Sequence, residues 1–247
     1  MSTPVSAEKI LTFDLSESEH DEVINCLRPF VTDQRFEVFE EILQKRTRDA
    51  CIVLEHVANP HNASAVMRSA EAFGLFELHV VPQEGTFSAS RNVASGAQKW
   101  LDFHMHSQTK QCFDALRSRG YQIWASDLQE DTQPIENIDF SNKVALVFGN
   151  ERDGISEYAR KHSDHRFVVP MHGFVESFNI SVAAAISIYH VSQARAAQGL
   201  KPGLDLKDHK AVLASWMTQS VRASQQILLR QGLKVPIIRP QRIQVVE

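Results

Sequence analysis

Five short apolar runs constrain this chain more than any other feature: CIVLEHV from residue 51, ELHVV from 77, YQIWASD from 121, KVALVFG from 143 and RFVVP from 166. Their apolar residues run on rather than alternate, the pattern of strands covered by helices on both faces. Between the first two lies NASAVMRSAEAFG, residues 62–74, an amphipathic helical segment with Gly74 placed at the C′ position. Strand, helix and strand in that order form a βαβ unit, whose crossover joins parallel neighbours. Further helices are expected over residues 109–118, ending near Gly120, and from about Ser177 to Ala197. Gln83–Gln98, rich in Ser, Ala and Gly, reads as loop and turn. The middle of the chain is therefore an α/β domain.

The flanks differ from it. In TDQRFEVFEEILQKRT, Thr32 can cap a helix carrying Phe36, Phe39, Ile42 and Leu43, and an earlier helix is expected around Glu17–Leu27. After Gly199 the chain reads as one or two helices bearing Leu213, Trp216, Ile227 and Leu228, then a proline-punctuated tail that packs back on the core or reaches a partner. This divides the chain into a helical segment 1–49, an α/β domain 50–198 and a helical segment 199–247. The overall charge of −4 hides an asymmetry: residues 1–50 carry net −5 and residues 199–247 net +5. The basic end suits a phosphate-bearing partner or a solvated helix surface. No apolar run is long enough to span a membrane and no secretory leader is recognisable at the N-terminus, so a cytoplasmic protein is expected. Cys26, Cys51 and Cys112 are odd in number and far apart, which suits reduced, buried thiols rather than a disulfide framework.

Ligands of an open parallel sheet bind beyond the carboxyl ends of its strands, and three such junctions are unusually polar here. In NPHNASAVMR, Asn62 opens the helix, as its cap or as a ligand group, and Arg68 follows among small and apolar residues. In ALVFGNERDGIS, Gly149 permits close backbone approach and Glu151 can pair with Arg68 or a ligand. The spacing matches neither GxGxxG nor GxxxxGK[ST], so the familiar dinucleotide and triphosphate loops are absent. In VPMHGFVESFNISVAAAI, Ser177 can cap the helix with Asn179 in its first turn, and main-chain groups near Pro170 are free to meet a nucleobase edge. His104 with His106, and His162 with His165, lack a third ligand at diagnostic spacing, so no metal site is expected. Ser177 lacks a GxSxG elbow, which removes a serine hydrolase.

The three junctions, taken in order, resemble the three motifs of the SpoU/TrmH family of RNA ribose 2′-O-methyltransferases. SGAQKW at 95–100, IWASDL at 123–128 and LDLKDHKAVLASWM at 204–217 are further similar to the TrmH branch, which methylates the guanosine at position 18 in the tRNA D-loop. The resemblance implies a SPOUT fold, an α/β parallel sheet flanked by helices with a C-terminal deep trefoil knot. It implies a homodimer, S-adenosylmethionine (SAM) held in the knot, an active site completed across the subunit interface, and no metal. Carried over residue by residue, the catalytic set is Asn62, Arg68, Glu151, Ser177 and Asn179, with Arg68 matching the family's proposed general base. The cofactor set is Ser126, Gly149, Val169, Met171 and Phe178, Phe178 standing where the family usually has leucine. RNA contacts are expected from Arg91, Lys99, Lys207, Lys210 and Arg222. The alternatives are the same chemistry on ribosomal RNA or another tRNA site, and an RNA-binding protein without activity.

Overall fold

The computed structural model describes residues 11–12, 15–83, 88–90, 96–238 and 244–246, which fall into two compact units. The larger is built on residues 48–201. Its strands are β1 (Ala50–Glu55), β2 (Glu77–Val81), β3 (Asp102–Met105), β4 (Gln122–Ser126), β5 (Gln133–Pro134), β6 (Val144–Phe148) and β7 (His165–Val168). They form one seven-stranded sheet in the order β3-β2-β1-β6-β4-β7-β5, parallel at every pairing. All of β1, β2 and β6 is buried, as their uninterrupted apolar runs require. A short strand Gln244–Val246 pairs in parallel with Ser88–Ser90 in the same unit.

The helices of this unit are α1 (Pro60–Ala72), α2 (Thr109–Arg117), α3 (Glu157–His162) and α4 (Ile180–Ala197). α1 closes as its sequence indicates, with Gly74 at φ +79° and the Leu75 amide donating to the Ala70 carbonyl. Its start is a correction. Asn59, not Asn62, is the N-cap, its side chain accepting from the His61 amide, because Pro60 is suited to the first helical position and fixes the boundary there. α4 likewise begins three residues later than expected: Asn179 caps it by accepting from the Ser181 amide, and Ser177 lies outside the helix. Arg195 near the end of α4 is buried and donates to the Phe140 carbonyl at 2.8 Å and to Asp49 at 2.7 Å, fastening the helix to the sheet's amino end. Sequence reasoning missed β3, β5, α3 and, within the stretch read as loop and turn, the strand Ser88–Ser90.

Two features set the carboxyl ends of the strands. Buried Glu55, the last residue of β1, accepts from the Ser156 amide at 2.8 Å, the Ser156 hydroxyl at 2.7 Å and the Thr109 hydroxyl, so it anchors the starts of both α2 and α3. After β6 the chain makes a tight loop in which Asn150 and Gly154 exchange main-chain hydrogen bonds of 2.7 and 3.0 Å. Asn150 also donates to the His56 carbonyl at 2.8 Å, tying the loop to the end of β1. Gly149 is obligatory there, because a Cβ would lie 2.2 Å from the Gly154 carbonyl.

The smaller unit joins residues 9–47 to 202–240. Helices Glu17–Leu27, Asp33–Leu43, Leu206–Ser220 and Ser224–Arg230 enclose Val23, Leu27, Phe39, Leu43, Trp216, Met217 and Leu228, and Leu11–Thr12 pairs antiparallel with Ile237–Ile238. The helices before and after the larger unit's span thus share one core. Their opposite charges meet as well: Lys210 pairs with Asp21 at 2.7 Å and Lys234 with Glu19 at 2.6 Å, while His209 hydrogen-bonds Glu40 at 2.8 Å. Among the described residues no helix is long and apolar enough to cross a membrane.

Gly149→Ala is expected to cost roughly 1–3 kcal/mol as the Asn150–Gly154 loop is forced open. Urea unfolding checks this, with Gly154→Ala as a contrasting variant: its cost comes from φ +69° alone, since its Cβ meets nothing within 4 Å.

Candidate functional site

The carboxyl ends of β4, β7 and β6 carry Ser126, Val169 and Gly149, and these strands are neighbours in the sheet. Three of the five residues expected to hold a cofactor therefore converge on one rim. From there Pro170–Phe178 runs to α4, and among the described residues none of its main-chain groups is hydrogen-bonded. Met171 is half-buried on this stretch, while Phe174, Val175, Ser177 and Phe178 are exposed. A cleft of about 700 Å³ opens beside the rim, lined by Asn59, Pro60, Gln83, Asn150, Glu151 and Arg152 among others.

Asn62 binds the three junctions together. Inside α1 and buried, it donates from Nδ2 to Glu151 Oε1 at 2.9 Å, and its Oδ1 accepts from Asn179 Nδ2 at 3.1 Å. The donor and acceptor ends are fixed by the chain of partners. Asn179 Oδ1 accepts from the Ser181 amide at 2.9 Å and its hydroxyl at 2.7 Å, so its Nδ2 must be the end that donates. That makes Asn62 Oδ1 an acceptor and turns its NH₂ toward Glu151, a carboxylate able only to accept. Glu151 is exposed and keeps acceptor capacity for a ligand hydroxyl.

Asn62, Glu151 and Asn179 are thus brought together; Arg68 and Ser177 are not joined to them. Arg68 lies six residues beyond Asn62, about 9 Å along α1 and roughly 120° round its axis. It is exposed and among the described residues makes no hydrogen bond or ion pair. The pairing of Arg68 with Glu151 that the sequence allowed is therefore absent within one chain. The side chains expected to touch RNA divide similarly. Lys99, Lys207 and Arg222 are exposed, Lys210 is engaged by Asp21, and Arg91 lies outside the described residues.

At the far edge of the sheet, sequence reasoning missed a second polar cluster. Buried Glu77 receives Arg48, Arg119 and, at 3.3 Å, the Tyr121 hydroxyl, while Arg48 also reaches Asp102 at 2.9 Å. Burial raises the Glu77 carboxyl, yet His79 and the two arginines outweigh it and hold it well below the usual range. Three histidines stand beside it. His79 lies 4.6 Å, ring to ring, from His104 and 5.2 Å from His106. Burial pulls His79 down to about 4 and, with the neighbouring imidazoles, His106 to about 3, whereas Asp102 overcomes burial and raises His104. The signal was present in the sequence: His104 and His106 are two apart and so share one sheet face, but only the pairing of β2 with β3 sets His79 opposite His104.

Comparison with known proteins bears on the first of these sites. Residues 49–189 match the model of the SpoU rRNA Methylase family. The chain is 35% identical over 188 residues to the tRNA (guanosine(18)-2′-O)-methyltransferase of Thermus thermophilus, covering 75% of this chain and 97% of that protein. It is 35% identical to the protein of the same description from Borreliella burgdorferi, covering 67% and 76%. Among solved structures, a TrmH/SpoU tRNA modifying enzyme of A. aeolicus superposes with a TM-score of 0.72 at 28% identity, over 77% of this chain and 98% of that one. The matched span holds Asn62, Glu151 and Asn179 and all seven strands of the sheet, and on that ground the chain belongs to the SpoU methylase family.

Proposed function

We propose that this protein transfers the methyl group of SAM to the ribose 2′-hydroxyl of a guanosine in the tRNA D-loop, at position 18. The carrying observation is the hydrogen-bonded set Asn62, Glu151 and Asn179 at the rim where Ser126, Gly149 and Val169 end three adjacent strands. The relatives at 35% identity, one matched over 97% of its length, support the tRNA substrate and the position. The residues present fit the cofactor, because Pro170–Phe178 offers unpaired main-chain donors and acceptors beside a glycine-lined rim. Ser126, Gly149, Val169, Met171 and Phe178 would hold it, chiefly through main-chain atoms, with the Ser177 hydroxyl kept in the catalytic set. When bound, SAM supplies a methyl made electrophilic by its sulfonium.

The chain's own groups position the other partner. Glu151, fixed by Asn62, accepts from a ribose hydroxyl, and Arg68 grips the attacking oxygen and its neighbouring phosphate. A guanidinium already carries its proton and only donates, so Arg68 contributes by placing the hydroxyl in line for attack, and the hydroxyl's proton leaves to solvent. Arg68 reaches this position from a second copy of the chain. What supports this is its exposure without a partner, together with an apolar face of Phe73, Val182, Ile186 and Tyr189 on the adjacent helices α1 and α4. A homodimer that buries this face sets Arg68 of one protomer beside the Asn62 set of the other.

The same reading threads residues 169–179 as a deep trefoil knot. β7 sits between β4 and β5, strands consecutive in the chain, so the loop 127–132 must cross the end of β7. That loop is held by Arg166 of β7, which bonds Asp127 and Asp131, and by Arg160 on Asp127 at 2.9 Å. The chain leaving β7 must pass it to bring Asn179 to Asn62. The helical segments 1–49 and 199–247 flank the catalytic domain 50–198 in sequence, and Lys207, Arg222, Lys99 and Arg91 offer their charge to tRNA phosphates. Such a substrate puts the protein in the cytoplasm.

Incubation with labelled SAM and separate pools of unmodified tRNA and ribosomal RNA should label tRNA alone, with ribose methylation mapping to guanosine 18. Label in ribosomal RNA alone, or none at all, overturns the proposal. Arg68→Ala should lower transfer at least about 100-fold with SAM binding retained; undiminished turnover removes Arg68 from the mechanism. Neither Arg68→Ala nor Asn62→Ala alone should turn over. Co-expressed, they should recover about a quarter of wild-type activity, because half of randomly assorted dimers then carry one intact site of two. No recovery would place Arg68 and Asn62 in the same chain's site.

A further inference from the structure

We propose that His79, His106 and Cys112 form a binding site for a borderline transition-metal dication, zinc foremost, tying the sheet edge to α2. One ligand atom from each of the three lies within 4.8 Å of the others. They come from β2, from the residue following β3 and from α2, so the grouping is made by the fold and not by a local sequence motif.

Three observations favour a ligand over mere packing. His79 Nε2 faces Glu77 Oε2 at 3.4 Å, and an ionised carboxylate there makes Nε2 the protonated nitrogen. The lone pair of Nδ1 then points away, toward His106 Nε2 at 2.9 Å. This is the arrangement in which a carboxylate orients a metal-bound imidazole. Two nitrogens about 2.05 Å from a tetrahedral ion stand about 3.3 Å apart, so opening the histidine pair by a few tenths of an ångström admits one. The Cys112 thiol is fully buried and among the described residues has no hydrogen-bond partner. Finally, His106 is only half-buried, which leaves an entry path and a place for water as fourth ligand.

Binding is balanced in protons. His106 keeps its proton by moving it from Nε2 to Nδ1, and the Cys112 thiol releases one to solvent, so each dication enters with loss of one proton. The site uses none of the side chains assigned to methyl transfer and stands whether or not that assignment does.

Cobalt(II) titration of untagged, chelator-treated protein tests it. One equivalent per chain should give tetrahedral visible bands and a thiolate-to-cobalt charge-transfer band in the near ultraviolet, both bleached by zinc. Cys112→Ser should remove the charge-transfer band and His106→Ala the tight binding. Zinc at a hundredfold excess over its Kd should raise Tm by about 5 °C or more. Zinc-edge X-ray absorption of the wild-type protein reads the site without any variant, expecting one sulfur at about 2.3 Å and nitrogens at about 2.0 Å. A shell without sulfur, or a cobalt spectrum unchanged in both variants, overturns the proposal.

Discussion

Asn62 is the side chain on which the arrangement of the candidate site depends. Its amide bonds to both other junctions, reaching Glu151, 89 positions along the chain, and Asn179, 117 positions along. A two-ended amide suits this place because one partner can only accept and the other has its oxygen already engaged by Ser181. Aspartate would lose the donor facing Glu151 and set two carboxylates against each other. Leucine would leave Asn179 and Glu151 without their links. Three loops that share no local sequence signal are made into one site by the polarity of a single side chain.

The sheet was legible because its central strands are buried on both faces, which leaves runs such as VALVF with no alternation to confuse with a helix. β3 escaped notice because Asp102 and His104 interrupt its apolar character, and those residues are tolerable only through Arg48, Glu77 and His79, partners distant in sequence. Helix starts were shifted for local reasons: Pro60 drew the cap of α1 back to Asn59, and Asn179 displaced Ser177 as the cap of α4. Of the residues named for chemistry, the motifs located Asn62, Glu151 and Asn179, but no spacing rule could have said that they bond to one another. Arg68 stood out among small and apolar neighbours and took its catalytic role from resemblance, but its physical meaning emerges from exposure, a property sequence does not carry. The histidine group was half visible, as a pair two residues apart, and its third member, His79, required the strand register.

The charge asymmetry of the chain takes a different meaning in three dimensions. Acidic and basic ends read separately suggest one segment that avoids RNA and one that seeks it. Within the smaller unit Asp21 and Glu19 instead face Lys210 and Lys234. Part of the basic surplus is thereby neutralised internally, while Lys207, Arg222 and Arg230 remain exposed in this unit. Such surface pairs add little stability singly, and their effect is on which partners the unit attracts.

The position of β7 has a consequence for how the molecule comes to be folded. It occupies a slot between β4 and β5, both made earlier in synthesis and separated by six residues that span the slot. Those two strands cannot close on each other first without excluding the strand that belongs between them. A strand from the last quarter of the domain thus fills an interior slot, and pairings so distant in sequence are of the kind that slows folding.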